Sequence, residues 1–197
     1  MRASIVVLAY NQLKEGTAPC LESIFLHTPE EEYELVVVDN GSSDGTAEYL
    51  RSIAEKHKNV RLVLNRQNKG YAGGNNDGMR VASGDCIVLL NNDTLVTPGW
   101  LDSLLAPLEG DRSIGLICPV TNSAGNEQMV LLPSLNEANY IEVAGQYTRR
   151  NAGHLFDTWK LGFYCVAMRR EVMEKVGLLD EEFGLGMFED DDYCLRV

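Results

Sequence analysis

Four short apolar runs punctuate the first half of the chain, and a segment of helical spacing follows each of them. A continuous apolar, β-branched run indicates a strand that is buried on both faces. The runs cover residues 4–9, 35–38, 60–64 and 86–90. Such strands, separated by helices, predict an α/β fold: a Rossmann-like, mostly parallel sheet with helices on both faces.

Capping residues and apolar periodicity together predict where the helices of the first half of the chain begin and end. Apolar side chains recur at helical spacing from Thr46 to Lys56. The preceding helix is predicted to begin near Pro19, because proline suits the first helical turn. A third helix is predicted from Gly70 to a glycine cap at Gly84. A fourth is predicted to begin at Thr97-Pro98, as an N-cap followed by proline, and to reach about Gly110.

The second half is less regular. Residues 114–120 and 163–168 are predicted strands, residues 169–176 form a predicted helix closed by Gly177, and a further helix is predicted from Glu189 onward. Residues 121–161 mix Asn, Gly and short apolar pieces without a firm period. No element is assigned to that segment.

Composition narrows the function. With 197 residues the chain fits one domain, since a domain has roughly 150 residues. A net charge of −12 argues against nucleic-acid binding, which needs basic surfaces.

No run approaches the roughly 18 apolar residues of a membrane span, and no signal-peptide layout opens the chain. We therefore expect a location in the cytoplasm, with the inner face of the membrane as the alternative. The five cysteines are interpreted as reduced core residues.

Polar side chains follow three of the predicted strands. Tyr10-Asn11, Asp39-Asn40 and Asn91-Asn92-Asp93 stand directly after the first, second and fourth. Ligands of parallel sheets bind beyond the carboxyl ends of the strands. Amides and a carboxylate at that place suit a metal ion and a diphosphate. A divalent cation would also reverse the repulsion between an acidic protein and a diphosphate.

A second acidic cluster lies near the end of the chain. Residues 180–192 hold seven carboxylates in thirteen positions. Such a run is usually a solvated surface, but Phe183, Leu185, Met187 and Phe188 interleave with the acids. Part of the segment must therefore approach apolar surroundings, where the pKa of a carboxyl group rises towards that of a useful base.

In their order along the chain, these motifs resemble glycosyltransferase family 2. The residues that carry the resemblance are 7–11, 37–46, 68–76, 90–94, 180–183 and 188–192. The resemblance covers nearly the whole chain and is closest to the rhamnosyltransferase-like branch. It implies a GT-A fold and an inverting, metal-dependent transferase of polysaccharide biosynthesis. A UDP- or dTDP-sugar would be the donor, Mn²⁺ or Mg²⁺ the cofactor, and a carbohydrate or lipid-linked molecule the acceptor.

The resemblance also implies roles for single residues. Asp190 falls on the catalytic base, with Glu189 beside it at the acceptor side, and Asp93 falls on the metal ligand. The implied substrate-binding residues are Ala9, Tyr10, Asn11, Asp39, Gly41, Gly70, Gly74, Asn75, Asn91, Asn92 and Gly162.

Several of these assignments have structural alternatives. Asp39 would also suit a loop cap, the glycines would also suit a tight turn, and Asn91-Asn92-Asp93 would also suit an ordinary turn after a strand. The family's metal motif is often richer in Asp, whereas here only Asp93 carries a charge.

Other function classes are less consistent with the sequence. A pyrophosphorylase or a dehydrogenase would need a glycine-rich loop after the first strand, where this chain has residues 9–12, Ala-Tyr-Asn-Gln. A non-catalytic sugar-nucleotide-binding module, or an inactive fragment of a longer transferase, remains the alternative. We expect a single GT-A domain, truncated at its C-terminal end, with a nucleotide-binding half at 1–95 and a sugar and acceptor half at 96–197. The last predicted helix would then expose Tyr193 and Leu195 and favour self-association.

Overall fold

The computed structural model describes residues 1–136 and 138–197 and has a central six-stranded sheet. The strands are β1 (Ala3–Ala9), β2 (Tyr33–Asp39), β3 (Val60–Leu64), β4 (Cys86–Asn91), β5 (Leu116–Ile117) and β6 (Cys165–Arg169). Their order in the sheet is β3-β2-β1-β4-β6-β5. The first four strands are mutually parallel, whereas β6 runs antiparallel to β4 and β5. The predicted α/β fold with a mostly parallel sheet is confirmed.

Helices cover both faces of this sheet. They are α1 (Ala18–His27), α2 (Thr46–Lys56), α3 (Gly70–Val81), α4 (Trp100–Gly110), α5 (Tyr140–Asn151), α6 (Arg170–Val176) and α7 (Glu189–Arg196). The bounds of α2 and β3 agree with the sequence prediction. Helix α5 lies in the segment to which the sequence assigned no element. None of the helices in the described part of the chain has the length and apolarity that a bilayer crossing requires.

Successive side chains of the central strands pack alternately into two hydrophobic cores, one on each face of the sheet. On one face, Val7 and Val37 belong to the same cluster as Ile24 of α1 and Leu104 of α4. On the other face, Val6 joins a cluster that includes residues of α3, α6 and α7. This is why the strands read as continuous apolar runs instead of alternating ones.

Two predicted helix boundaries are wrong. Helix α3 ends at Val81, and Gly84 instead lies against β1, where an added Cβ would stand 2.7 Å from the carbonyl oxygen of Arg2. Helix α4 begins at Trp100 after Gly99, whose left-handed backbone (φ 77°) is accessible to glycine. The Trp100 N–H donates to the Thr97 carbonyl (3.1 Å), so Thr97-Pro98 lie in a turn before the helix.

The last helix is better covered than the sequence suggested. Tyr193 is fully buried: its hydroxyl donates to the carbonyl of Gly177 (3.0 Å), and its ring packs edge-on against Phe163. The expectation that Tyr193 would be exposed is therefore wrong, because α7 docks on the face of the sheet that also carries α3 and α6. Leu195 does remain exposed.

Candidate functional site

Parallel strand pairing aligns the polar ends of three strands. Ala9 of β1 is opposite Asp39 of β2, and Leu8 is opposite Asn91 of β4. The strand ends that the sequence marked as polar therefore lie side by side at one edge of the sheet. That edge is where parallel α/β sheets bind their ligands.

Asp39 is buried at this edge, and one of its carboxylate oxygens accepts a hydrogen bond from the N–H of Ser42 (3.2 Å). Asn11 joins the loops after β1 and β2: its N–H donates to the Ser42 hydroxyl (2.8 Å), and its side-chain oxygen accepts from the Ser43 N–H (2.9 Å). Tyr10, just before it, is exposed. The two loops thus form one framework around Asp39, with an aromatic side chain at its mouth.

Asn40 organises the loop between β3 and α3, a role that the sequence analysis missed. Its Nδ2 donates to the Asn68 side chain (2.9 Å) and the Gly70 carbonyl (3.1 Å), and its Oδ1 accepts from Asn65 and from the N–H of Lys69 (both 3.1 Å). Asn40 is visible in the sequence as a polar residue after a buried strand. Its partners lie 25 to 30 residues further on, so local pattern could not identify them.

The glycines at this edge are needed for contacts within the protein. An added Cβ on Gly41 would lie 2.8 Å from the backbone of Gln67, and one on Gly70 would lie 2.0 Å from the carbonyl oxygen of Gly184. At Gly74 the nearest atom would be Cδ1 of Leu8, at 2.3 Å. These contacts account for the three glycines without a ligand, and their predicted roles in substrate binding stay predictions.

Asn75 lies inside α3 and is buried. Its Nδ2 donates to the carbonyl of Tyr71 (3.0 Å), one turn earlier in the same helix. Its predicted contact with the nucleotide also stays a prediction.

The three polar residues at the end of β4 and in the turn after it have different environments. The N–H of Asn91 donates to the carbonyl of Tyr164 (2.8 Å), and the side chain of Asn92 donates to the hydroxyl of Thr17 (2.9 Å). Asp93 is exposed. Asn92 therefore ties the turn to Thr17 through its side chain, Asn91 is bonded through its backbone, and the single carboxylate is exposed to solvent.

The donor set at this turn limits how a metal ion could bind. Over residues 1–136 and 138–197, no group of three or more His, Cys, Asp or Glu side chains is placed to hold a metal. Mg²⁺ is commonly bound by only one or two carboxylates, with substrate phosphates and waters completing its shell. Asp93 fits that mode, in which a metal arrives together with a diphosphate.

Three hydrogen bonds connect the end of β4 with the loop that precedes the acidic helix α7. Tyr164, which receives the Asn91 N–H, follows Phe163, whose carbonyl accepts the hydroxyl of Tyr71 (2.5 Å). The N–H of Tyr71 donates in turn to the carbonyl of Leu185 (3.0 Å), four residues before Glu189. Gly162, just before this path, donates its N–H to Gln128 (2.7 Å). These bonds link the end of β4, through Tyr71, to the loop that leads into α7.

The first turn of α7 presents four acids in different environments. Glu189 is buried, its Oε2 has no hydrogen-bond partner among the described residues, and burial raises the pKa of its carboxyl group. Asp190 is half-buried and accepts the N–H of Asp191 (2.9 Å). Asp191 pairs with Lys160 (2.7 Å), and Asp192 pairs with Arg196 (2.7 Å). Among the described residues, the carboxylate of Asp190 is therefore the one of the four with neither deep burial nor an ion pair.

Asn76 holds the loop that precedes this helix, Lys160 pairs with Asp191 on the helix itself, and sequence reasoning missed both roles. Asn76 donates to the Leu179 carbonyl and to Glu181 (both 2.9 Å), and it accepts the Leu179 N–H (3.0 Å). Asparagine is unfavourable inside a helix, so the pair Asn75-Asn76 was an available signal for a tertiary role. Lys160 stands in the segment without periodicity and gave no such signal.

Comparison with known families and relatives agrees with this geometry. The family model described as Glycosyl transferase family 2 matches residues 4–177. The chain is 30% identical to Glycosyltransferase AglE of Haloferax volcanii over 54% of this chain and 35% of the relative. It is 37% identical to the uncharacterized glycosyltransferase YfnE of Bacillus subtilis over 60% of this chain and 29% of the relative. The chain thus spans about a third or less of the length of these relatives.

Solved structures share the fold. The mannosyltransferase PcManGT of Pyrobaculum calidifontis, in complex with GDP-Man and Mn²⁺, superposes with a TM-score of 0.68 at 23% identity, over 98% of this chain and 50% of that one. GalNAc-T7 with UDP, GalNAc and Mn²⁺ gives 0.77 at 17% identity, over 99% and 39%. S. aureus TarS 1-349 in complex with UDP-GlcNAc gives 0.68 at 16% identity, over 100% and 53%. The predicted GT-A fold is confirmed.

Proposed function

The chain belongs to glycosyl transferase family 2, and we propose that it transfers a sugar, with inversion, from a UDP- or dTDP-sugar to an acceptor hydroxyl. The observation that carries the proposal is the set of hydrogen bonds that connects the end of β4, through residues 163–164 and Tyr71, to Leu185 in the loop that leads into α7. This connection supports a diphosphate and metal site and a catalytic base that share one edge of the sheet. In this proposal residues 1–95 form the nucleotide side, and residues 96–197 form the sugar and acceptor side.

On the nucleotide side, Asp39 would accept hydrogen bonds from the nucleoside. A divalent cation, Mn²⁺ or Mg²⁺, would be held by Asp93, with Asn91 nearby, and would neutralise charge on the diphosphate. Use of a divalent cation has support from two structural neighbours, solved with GDP-Man and Mn²⁺ and with UDP, GalNAc and Mn²⁺. A third neighbour, solved with UDP-GlcNAc, supports a nucleotide-sugar donor. A polymeric acceptor has support from one relative, the poly(ribitol-phosphate) beta-glucosyltransferase of Bacillus spizizenii, which is 32% identical over 49% of this chain and 15% of the relative.

On the acceptor side, Asp190 would act as the general base. Its carboxylate takes the proton of the acceptor hydroxyl while that oxygen forms a bond to the anomeric carbon of the donor. The bond from this carbon to the diphosphate oxygen breaks, and the electron pair leaves with the nucleoside diphosphate. A single displacement of this kind needs one base and no enzyme nucleophile, and it inverts the anomeric configuration.

The test compares two aspartates of the same helical turn. Asp190→Asn should lower donor hydrolysis or transfer by roughly 10² to 10⁴-fold and leave nucleotide affinity nearly unchanged. Asp192→Asn is the matched control, because Asp192 is paired with Arg196 at the outer end of the turn. UDP-, dTDP- and GDP-sugars with Mn²⁺ supply the donors, and calorimetry measures the affinity.

Two outcomes would contradict this function. If no nucleotide binds with or without Mn²⁺, the site is not a donor site. If nucleotide binds tightly but neither hydrolysis nor transfer occurs, the chain is a sugar-nucleotide-binding module. The single carboxylate in the turn after β4 is the observation that favours this second candidate.

A further inference from the structure

One tyrosine of α3 is bonded to two separate segments near the candidate base. The backbone N–H of Tyr71 donates to the carbonyl of Leu185 (3.0 Å), and its hydroxyl donates to the carbonyl of Phe163 (2.5 Å). Leu185 lies five residues before Asp190, and Phe163 lies two residues before the start of β6. Tyr71 therefore joins the loop that leads into α7 to the segment that leads into β6.

The segment of residues 160–164 lies along the acidic helix. Lys160, at its start, pairs with Asp191 (2.7 Å). The ring of Phe163 packs edge-on against Tyr193, with ring centroids 5.8 Å apart. A shift of this segment would therefore also move the helix that carries the candidate base.

The same segment is bonded to the end of β4, next to the candidate metal ligand. The carbonyl of Tyr164 accepts the N–H of Asn91 (2.8 Å), two residues before Asp93. The preceding carbonyl, that of Phe163, is the one that Tyr71 holds. The separation between the diphosphate side and the base side of the site therefore depends on where this segment lies.

The loop that leads into α7 is held through its backbone. The side chains of Leu185 and Met187 are 79% and 73% exposed, so they contribute little packing. The Leu185 carbonyl accepts the Tyr71 N–H, and the Gly184 carbonyl packs where Gly70 has no Cβ. The first turn of α3 therefore anchors both the loop before α7 and, through the Tyr71 hydroxyl, the segment beside α7.

The surroundings of the Tyr71 hydroxyl keep it a hydrogen-bond donor. Burial raises the pKa of the phenol well above its ordinary value of 10, and the nearby charges of Glu189 and Asp190 raise it further. The phenol therefore stays protonated beside the acids of α7, and it donates to a backbone carbonyl instead of a carboxylate. This arrangement suits a group that holds other groups in place, and it does not suit an acid or a base.

Resting on the proposed function, we propose that Tyr71 is a positioning residue of the transferase, whose hydroxyl fixes the distance between Asp190 and the diphosphate bound at the end of β4. In this role Tyr71 acts through Asp190 and needs no contact with substrate. A misplacement of about 1 Å at a reacting group can cost about 10²-fold in rate. Loss of the hydroxyl should therefore slow the chemical step far more than it weakens donor binding.

The first test is Tyr71→Phe, which removes the hydroxyl and keeps the ring. With the sugar nucleotide that gives the highest turnover and with Mn²⁺, kcat should fall about 10- to 100-fold. The donor KM, and the UDP affinity measured by calorimetry, should stay within about twofold of the wild type, because the nucleotide side keeps its contacts.

Ser4→Ala is the matched control, because it also removes one buried hydroxyl. Ser4 lies at the start of β1, at the opposite end of the sheet from the candidate site, and its hydroxyl bonds Glu34 (2.5 Å) and the N–H of Gly84 (2.7 Å). This control should lower the melting temperature and leave kcat unchanged.

A double-mutant cycle distinguishes positioning of the base from general loosening of the structure. If Tyr71 acts through Asp190, Tyr71→Phe should slow the Asp190→Asn enzyme by less than about twofold, because the group that it positions is already lost. A purely structural role would give the same fold-loss of kcat in both backgrounds.

Four results would overturn the inference. They are an unchanged kcat in Tyr71→Phe, a loss of UDP affinity that matches the loss of kcat, an equal loss of kcat in Ser4→Ala, and additive effects in the cycle. A wild type that binds no nucleotide, or that binds nucleotide without turnover, would instead refute the proposed function.

Discussion

Two glycines with the same backbone conformation should respond very differently to alanine. Gly70 (φ 75°) and Gly99 (φ 77°) each stand at the start of a helix. A Cβ on Gly99 would meet no atom within 4 Å, whereas a Cβ on Gly70 would lie 2.0 Å from the carbonyl oxygen of Gly184. The pair therefore separates the cost of the backbone conformation from the cost of the contact.

The expected magnitudes follow from these surroundings. A left-handed alanine costs about 1–2 kcal/mol, and the reduced entropy of the unfolded chain returns about 0.4–1 kcal/mol. Gly99→Ala should therefore lower the free energy of unfolding by about 1 kcal/mol. Gly70→Ala adds an overpacking cost of about 1–3 kcal/mol, because the obstructing atom belongs to the backbone and cannot rotate away. Its total should reach about 2–4 kcal/mol.

Urea denaturation of both variants measures the difference, provided that the dependence on urea (the m-value) stays constant. Gly70→Ala should also reduce sugar transfer more than nucleotide binding, because the loop that it displaces leads into Asp190. Equal destabilisation by the two substitutions would refute the reasoning, since the contact with Gly184 would then cost nothing. Full transferase activity in a destabilised Gly70→Ala variant would separate the loop from catalysis.

Three further substitutions test the site. Asp39→Asn should weaken UDP binding by about 1–3 kcal/mol, the range for hydrogen bonds to a charged group; unchanged calorimetric affinity would remove Asp39 from the site. Asp93→Ala should erase the affinity that Mn²⁺ adds, and a chelator that leaves wild-type binding intact would argue against any metal role. Burial raises the pKa of Glu189 above its ordinary 4.5, so the wild type loses stability as pH rises through that higher value. Glu189→Gln should thus match the wild-type melting temperature at pH 4 and exceed it at pH 7, and a constant difference across that range would contradict the burial argument.

Local sequence was sufficient for elements whose burial is uniform. The apolar run at residues 35–38 predicted β2 because both of its faces are covered. The segment Thr46–Lys56 matched α2 because its buried apolar residues, Leu50 and Ile53, are spaced as on one face of a helix. Local sequence was insufficient where a feature depends on strand direction or on contacts with residues far away in the sequence. Nothing in the pattern of residues 165–169 distinguishes an antiparallel strand from a parallel one.

The candidate site likewise has features that the local sequence predicts and features that it does not. Its outline could be predicted, because Asp39 and Asn91 directly follow buried strands and parallel pairing aligns them. Its internal contacts could not. Gly70 reads as a turn or a ligand contact until Gly184 is seen against it, and Lys160 reads as a surface lysine until Asp191 is placed beside it.

The hydrogen bonds between Asn76 and Leu179 have a consequence for the order in which the protein forms. The four parallel strands are complete by residue 91, but the two partners are 103 residues apart. Until the segment that contains Leu179 has been synthesised, the side-chain amide of Asn76 lacks this hydrogen-bond partner. A buried amide without a hydrogen bond is unfavourable. Contacts between residues that are so far apart in the sequence form late and slow folding. The four parallel strands should therefore gain protection from hydrogen exchange first, while α3 becomes fully protected only when the loop after α6 packs against it.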